Sequence, residues 1–197
     1  MLPLRLRITL KRLALPAAIA LLYCYAFPYF HSIHSANELP RIYQAMAIVD
    51  RHALDIGPEM RARHGTPDTA TYRGKLYPNK APGMSFLAVP AYAVYRWTHD
   101  GPPPRELRPL FFWLRLTAST IPSLLFLLLL ARLLRAFSSA RQARWLTLLG
   151  FGLGTMALVY GTVLVAHQLS AALIGSAFAV ICLRGRGSPS GPIARRL

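Results

Sequence analysis

Residues 145–183, WLTLLGFGLGTMALVYGTVLVAHQLSAALIGSAFAVICL, form a run of 39 residues without a formal charge. As a single helix this run would be about 58 Å long, nearly twice the hydrocarbon thickness of a bilayer. The run therefore predicts two membrane spans, 145–163 and 166–183, joined by a tight turn near Gly161 to His167.

Two more apolar runs precede it. Residues 13–30 are uncharged and follow a basic start, residues 1–12, while residues 109–131 form a second run of spanning length. We interpret 13–30 as a retained helix rather than a cleaved signal peptide, because the run is long, ends in aromatic residues and lacks an Ala-x-Ala exit.

The composition agrees with a membrane protein. Among 197 residues, 23 are Lys or Arg and 7 are Asp or Glu, giving a net charge of +16 with only 15% charged residues. Soluble domains carry about 25% charged residues. All the acids lie within residues 31–106. Most of the Lys and Arg residues outside that segment lie between the apolar runs. A nucleic-acid-binding face would not be arranged in this way, so no nucleic-acid partner is expected.

The charge distribution also predicts an orientation. Basic clusters lie in residues 1–12, 132–144 and 184–197, and the positive-inside rule assigns all three to the cytoplasm. The predicted fold is an all-α polytopic membrane protein with four transmembrane helices and a long extracytoplasmic first loop, residues 31–108. The segment 132–144 is then a cytoplasmic loop, and 184–197 a disordered cytoplasmic tail.

The long loop is predicted to contain short interfacial helices and a hairpin. Residues 35–52 space their apolar side chains as a one-sided helix lying on the membrane or on the bundle. Residues 67–83, PDTATYRGKLYPNKAPG, suggest a hairpin-like excursion around Gly74. The segment Ala81 to Tyr95 is either a fifth span, which would reverse the later helices, or an interfacial or re-entrant helix. Its prolines and short length favour the second interpretation.

Several single residues allow two interpretations. Glu38 could complete a capping box with Ser35, each bonding the other's backbone amide, or could act in catalysis. Lys80 could be a solvated loop lysine or a phosphate ligand. Arg115, near one end of a span, is expected to snorkel outward rather than face a polar cavity between helices. The glycines of 150–154 indicate close helix packing.

The order of these segments resembles a known family. The segments HSANELPRIYQAMAIVDRHALDIG, DTATYRGKLYPNKAPGMSFLAVPAY and LVAHQLSAAL are similar to those of bacterial GT-C glycosyltransferases, in the dolichyl-phosphate-mannose-mannosyltransferase-like and aminoarabinose-transferase-like branches. The resemblance covers about residues 10–183, and its most specific part is Tyr77-x-Asn79-Lys80-Ala81-Pro82-Gly83. It implies a multi-pass enzyme of the bacterial inner membrane that moves a sugar from a polyprenyl-phosphate carrier to a lipid, glycan or protein acceptor.

The resemblance also implies roles for individual residues. Glu38 matches the family's candidate base or metal-adjacent carboxylate, and Lys80 is expected to contact the carrier phosphate. The remaining candidate substrate-binding residues are Tyr77, Asn79, Arg41, Arg73 and Asp68. Asn37 and Asn79 stand where the family often has acids, so a divalent metal remains an open question and no other cofactor is specified. Because the family has more spans, we expect the chain to be an N-terminal portion, truncated near residue 184.

The chemistry of sugar transfer gives these residues their expected tasks. Glu38 would take the acceptor's proton, while Lys80, helped by Arg73 or Arg41, would stabilise the departing phosphate. The apolar segment Met84 to Tyr95 would steer the prenyl tail. The alternative is a non-catalytic membrane protein, either a remnant or an accessory subunit. A third interpretation, an anionic-lipid or nucleic-acid binder, depends on net charge alone.

Overall fold

The computed structural model describes residues 4–25, 35–99, 101 and 107–187, with the backbone alone for residues 4–13, 186 and 187. The described part of the chain is mostly helical. The helices of its first half are α1 (Leu4–Tyr25), α2 (Leu39–Arg51), α3 (Gly57–Ala62) and α4 (Gly83–Thr98). Those of its second half are α5 (Arg108–Arg115), α6 (Ile121–Phe137), α7 (Arg141–Gly154), α8 (Met156–Gly161) and α9 (Ala166–Gly187). Strands β1 (Thr69–Tyr72) and β2 (Lys75–Pro78) lie between α3 and α4.

Two helices in the described ranges are long and apolar enough to cross a membrane. One is Arg108–Phe137, in which α5 continues through a π-helical segment, Leu116–Thr120, into α6. The other is Ala166–Gly185. They overlap the predicted spans 109–131 and 166–183. α1 overlaps the predicted first span, whose last residues, 26–30, lie outside the described residues.

The predicted span 145–163 is not a single helix. Its first part belongs to α7, which ends at Gly154, and Thr155 then adopts an extended conformation. The Thr155 side chain accepts a hydrogen bond from the amide of Ala157 and caps α8. Three glycines in α7 weaken helix propensity, and the threonine cap supplies a new start. The chain turns between α8 and α9 at Thr162 to Val165, as predicted.

Most of the predicted cytoplasmic loop is helical, and α9 extends into the first residues of the predicted tail. Only Ser138 to Ala140 separate α6 from α7, so the four arginines of segment 132–144 lie on helix ends rather than in a loop. Arg144 Nη1 donates to the carbonyl oxygens of Ser138 at 2.7 Å and Ser139 at 2.9 Å, which closes this short connection. α9 continues to Gly187, and residues 188–197 lie outside the described ranges, so a disordered tail remains a prediction there.

The first loop contains a packed unit instead of helices lying singly on a surface. A helix forms over this segment as predicted, and every residue of α2 from Leu39 to Ala47 is buried, so it packs within the protein on more than one side. The neighbouring helix α4 covers α2 with Met84, Ala88 and Tyr92, and α5 completes the core. The segment Ala81 to Tyr95 thus becomes a helix as predicted, with one face packed on α2.

The predicted hairpin is confirmed. β1 and β2 are antiparallel, with Tyr72 opposite Lys75, so the turn consists of Arg73 and Gly74 alone. Both turn residues have positive φ, 48° and 73°, which is the two-residue turn that matches the twist of a hairpin. The expectation of an all-α chain is therefore corrected by this one small sheet.

Close packing at glycine is confirmed for Gly152. A Cβ there would lie 3.3 Å from a Leu127 methyl group of α6. The Gly152 carbonyl also accepts a 2.7 Å hydrogen bond from the buried Tyr23 hydroxyl of α1. Gly150 and Gly154 have open space instead. One glycine of the three thus joins α1, α6 and α7.

Candidate functional site

Glu38 lies immediately before α2 with its side chain only 2% exposed. Its Oε1 accepts from Arg115 Nε at 2.8 Å, and its Oε2 accepts from Arg115 Nη2 at 2.6 Å. The backbone amide of Leu164 donates a third bond to Oε1 at 2.6 Å. Both carboxylate oxygens are therefore occupied by charged or amide donors.

This arrangement replaces the capping box predicted from sequence. The Ser35 hydroxyl accepts from the amide of Asn37 at 3.3 Å, and the amide of Glu38 bonds the Ser35 carbonyl oxygen. The Glu38 side chain makes no cap bond. A paired guanidinium binds a carboxylate more strongly than a single neutral amide does, so Arg115 takes the carboxylate.

Arg115 does not snorkel, contrary to expectation. It ends α5, directly before the π-helical segment, and its side chain is 3% exposed. The structure instead agrees with the alternative expectation, since Arg115 lies in a polar environment between helices, next to Glu38. The pairing to Glu38 removes the cost of an isolated charge in an apolar medium.

The π-helical segment joins this ion pair to the break between α8 and α9. The Ser119 hydroxyl donates to the Tyr160 carbonyl at 3.1 Å, and Thr120 donates to the Gly161 carbonyl at 3.0 Å. These bonds satisfy carbonyl groups that the end of α8 leaves free. They hold the following turn so that the Leu164 amide reaches Glu38.

Arg41 lies almost one turn after Glu38 and is 5% exposed. Its Nη1 donates to the Asn37 carbonyl oxygen, while its Nε has no hydrogen-bond partner among the described residues. Burial lowers the pKa of the Arg41 guanidinium, and the negative charges of Asp68 and Glu38 oppose that shift. Arg41 therefore lies within the electrostatic field of both acids.

Lys80 and Asp68 form an ion pair where the hairpin meets the chain on either side. Lys80 Nζ is 2.6 Å from Asp68 Oδ2, with the lysine side chain 28% exposed. The amide of Asn79 also donates to the Asp68 carbonyl at 3.1 Å. Tyr77, paired with Ala70 in the sheet, is half-buried. Lys80 thus has an acidic partner, Asp68, on the other strand side of the hairpin.

The predicted site residues form two linked groups: the Arg41 amide bonds the Glu38 carbonyl oxygen, and Asp68 bonds both the Asn79 amide and Lys80. The charge of Asp68 also acts on Arg41. Arg73 is separate from them. It lies exposed at the opposite end of the hairpin, with its guanidinium 5.1 Å from the centroid of the Tyr72 ring. The hairpin geometry therefore leaves Arg41, and not Arg73, as the arginine near Lys80 and Asp68.

Sequence reasoning missed several residues of this region. The bond from Leu164 is a backbone donor, for which a side-chain pattern carries no signal. Other buried polar atoms in the described residues lack a hydrogen-bond partner, namely Gln44 Oε1, Ser85 Oγ, Arg115 Nη1 and Gln168 Nε2. Gln44 and Ser85 lie in segments that the periodicity marks as helical, and a polar residue on an apolar helix face is the signal that could have identified them.

The described residues contain no group of three or more His, Cys, Asp and Glu side chains that could hold a metal ion. The linked charges are instead three bases, Lys80, Arg41 and Arg115, and two acids, Asp68 and Glu38. Such a cationic excess suits an anion better than a divalent cation.

No protein-family model, curated protein or solved structure matches the chain.

Proposed function

We propose that this chain binds the phosphate of a polyprenyl-phosphate-linked sugar and serves an integral-membrane glycosyltransferase. The observation that supports the proposal is the pair of buried guanidinium nitrogens without a partner among the described residues, Arg41 Nε and Arg115 Nη1. Buried donors of this kind are rare without a reason, and phosphate oxygens are strong acceptors for guanidinium groups.

Lys80 supplies the third donor in the proposal. Its ammonium is partly exposed and its partner Asp68 also acts on Arg41. A phosphate entering beside Lys80 would compete with Asp68 for that lysine, and would add a third anion to the two acids that already act on Arg41. Tyr77 and Asn79 lie on the same segment and would border the sugar or the phosphate.

The membrane placement belongs to the same proposal. Four passes through a bacterial inner membrane, with residues 31–108 outside, would place this site at the outer surface, where a lipid, glycan or protein acceptor is available. The two span-length helices support a membrane setting. The outward apolar side chains of α4, including Phe86 at 51% exposure and Val94 at 47%, would then meet lipid or the prenyl tail.

For Glu38 to act as a catalytic base, its carboxylate must first be released from its present partners. A general base must reach the proton it removes, and both oxygens of Glu38 are bonded to Arg115 and Leu164. Catalysis would require phosphate to draw Arg115 away and release the carboxylate. Glu38→Gln tests this step: at unchanged helix content it should abolish sugar transfer to an added acceptor if the carboxylate is the base, and leave transfer unchanged if it is not.

The closed ion pair favours a second candidate, a non-catalytic membrane protein in which Glu38 and Arg115 join three elements. In that case the pair is structural and no ligand replaces it. The two candidates differ in whether a phosphate-bearing lipid binds at Lys80 and Arg41.

Binding of a short-chain polyprenyl phosphate to the purified chain, with the matching polyprenol as the uncharged control, tests the proposal. The phosphate should bind, and Lys80→Gln should weaken binding about 10- to 100-fold, the loss typical of a hydrogen bond to a charged group. Lys75→Gln is the matched control, because Lys75 is an exposed lysine of the same hairpin. Equal effects of the two substitutions, or equal binding of the polyprenol, would support the non-catalytic candidate.

A further inference from the structure

A cavity of about 810 Å³ lies between α1, α6 and α7, and none of its lining residues belongs to the site above. Its walls are apolar, with Ile19 from α1, Leu127 and Leu128 from α6, and Leu148 from α7. One end is lined by four arginines, Arg132, Arg135, Arg141 and Arg144. We call this the arginine-lined cavity.

None of the acidic side chains that the structure describes neutralises these four arginines. Every acidic side chain that the structure describes pairs with another base: Glu38 with Arg115, Asp50 with Arg96, Asp55 and Glu59 with Arg51, and Asp68 with Lys80. Arg144 is tied to the short 138–140 connection, while Arg132, Arg135 and Arg141 are exposed. The mouth of the cavity is therefore strongly cationic.

The dimensions of the cavity relate it to one leaflet of a bilayer. On α6 its lining extends from Leu124 to Arg135. Eleven helical steps of 1.5 Å span about 16 Å, close to the hydrocarbon depth of one leaflet, which is about 15 Å. The lining as a whole, from its apolar end to its arginines, thus spans about one leaflet, and the arginines lie where a headgroup phosphate would be.

From this match of charge and length we propose that the arginine-lined cavity binds an anionic phospholipid of the leaflet that the 138–140 connection faces. The acyl chain lies against Ile19, Leu128 and Leu148, and the phosphate is held by Arg132, Arg135 and Arg141. Basic pockets between membrane helices bind anionic headgroups in this way. The site is independent of the proposed transferase function, since it shares none of that function's residues.

Native mass spectrometry of the full chain in detergent, titrated with phosphatidylglycerol or phosphatidylcholine, measures the apparent Kd of the first bound lipid. Phosphatidylglycerol should bind more tightly. Arg135→Gln and Arg132→Gln should each weaken it about fivefold, following the usual contribution of one basic residue near an anionic surface. Arg184→Gln is the charge-matched control, because Arg184 is exposed on α9 and does not line the cavity.

A second matched pair tests the acyl-chain part. Leu128 and Leu125 are both exposed leucines of α6, at 56% and 60%, but only Leu128 lines the cavity. Leu128→Trp should abolish preferential phosphatidylglycerol binding by filling the apolar part, whereas Leu125→Trp should leave it unchanged. Retained helix content and elution volume show that both variants are folded.

Three results would overturn the proposal. Equal weakening by Arg184→Gln would mean general surface attraction. Unchanged lipid binding in Leu128→Trp, together with displacement by inorganic phosphate, would mean that the mouth holds only an anion. Loss of binding in Lys80→Gln would place the lipid at the other site, which keeps a failure here distinguishable from a failure of the transferase proposal.

Discussion

Glu38 and Arg115, 77 residues apart in the chain, form a two-point ion pair in which both side chains are almost fully buried. The pair joins the start of α2 to the end of α5, and the Leu164 amide adds the turn before α9. Burial of two charges has a large desolvation cost. Removing one of the two side chains would leave the other as an unpaired buried charge. The geometry thus predicts strong coupling between the first loop and the later helices.

Removing either partner should strongly destabilise the protein. Arg115→Gln or Glu38→Gln should lower the free energy of unfolding by about 3–5 kcal/mol, because each leaves an unpaired buried charge. Unfolding by sodium dodecyl sulfate in mixed micelles, followed by circular dichroism, measures this. The double variant should lose less than the sum of the two single losses, since neither charge then remains.

The partly exposed pair of Arg51 and Glu59 serves as the comparison. Arg51 is 33% exposed at its side chain, so water screens the interaction. Arg51→Gln should cost less than Arg115→Gln, because water reaches the Arg51 side of its pair. A loss in Arg115→Gln no larger than that in Arg51→Gln would contradict the buried ion pair.

The contact between α2 and α4 should make the free energy of unfolding fall at high pH. The Tyr92 hydroxyl donates to Asp50 Oδ2 at 2.6 Å. Burial first, and then Asp50, raises the pKa of Tyr92, while the positive charges of Arg96 and Arg63 oppose this. A folded-state pKa above the ordinary value of about 10 means that this stabilisation is complete below pH about 10 and is lost as the pH rises beyond it.

Tyr92→Phe should therefore reduce the fall of unfolding free energy above pH about 10. At neutral pH it should cost about 1.5–3 kcal/mol, because a hydrogen bond to a charged acceptor is lost. Tyr72→Phe is the control, since Tyr72 is 60% exposed on the hairpin. An unchanged alkaline slope in Tyr92→Phe would mean that the hydroxyl does not bond Asp50.

The packing of α6 on α9 depends on Gly175. A Cβ there would lie 2.6 Å from two atoms of the Phe126 ring, closer than nonbonded carbon atoms approach. Phe126 also meets Phe151 edge to face at 5.7 Å, so its ring has little freedom to move. Gly175→Ala should cost about 1–3 kcal/mol in the same unfolding assay.

Gly150→Ala is the matched substitution for comparison. A Cβ at Gly150 would meet open space, so higher helix propensity should leave stability unchanged or raise it by up to about 1 kcal/mol. If the two alanine variants were equally stable, the close approach of α6 and α9 at Gly175 would be refuted.

The orientation of the chain can be tested by alkaline phosphatase fusions. A fusion after Thr69, in the acid-containing first loop, should be active, because that loop is expected outside the cytoplasm. A fusion after Ser139, in the connection flanked by arginines, should be inactive. The reverse pattern would overturn the four-pass topology.

The sequence by itself predicted the features that depend on neighbours within a few residues. The hairpin was predicted from the polar and aromatic stretch around Gly74, and the turn before α9 from the length of the apolar run. Helix propensity was less decisive where glycines accumulate, so the division at Thr155 was missed. At Thr155 the side chain caps a new helix instead of continuing the previous one, and hydropathy does not predict such a cap.

Only the tertiary structure decided which partners the charged residues take. Glu38 had a local candidate in Ser35, yet its carboxylate bonds a guanidinium 77 residues away and an amide 126 residues away. The arginine-lined cavity likewise requires α1, α6 and α7 to meet. Periodicity specifies which face of a helix is apolar, whereas the choice of partner depends on how the helices pack and on which charges become shielded from water. That packing energy is a sum over contacts between residues distant in the chain, so the local hydrophobic pattern does not predict it.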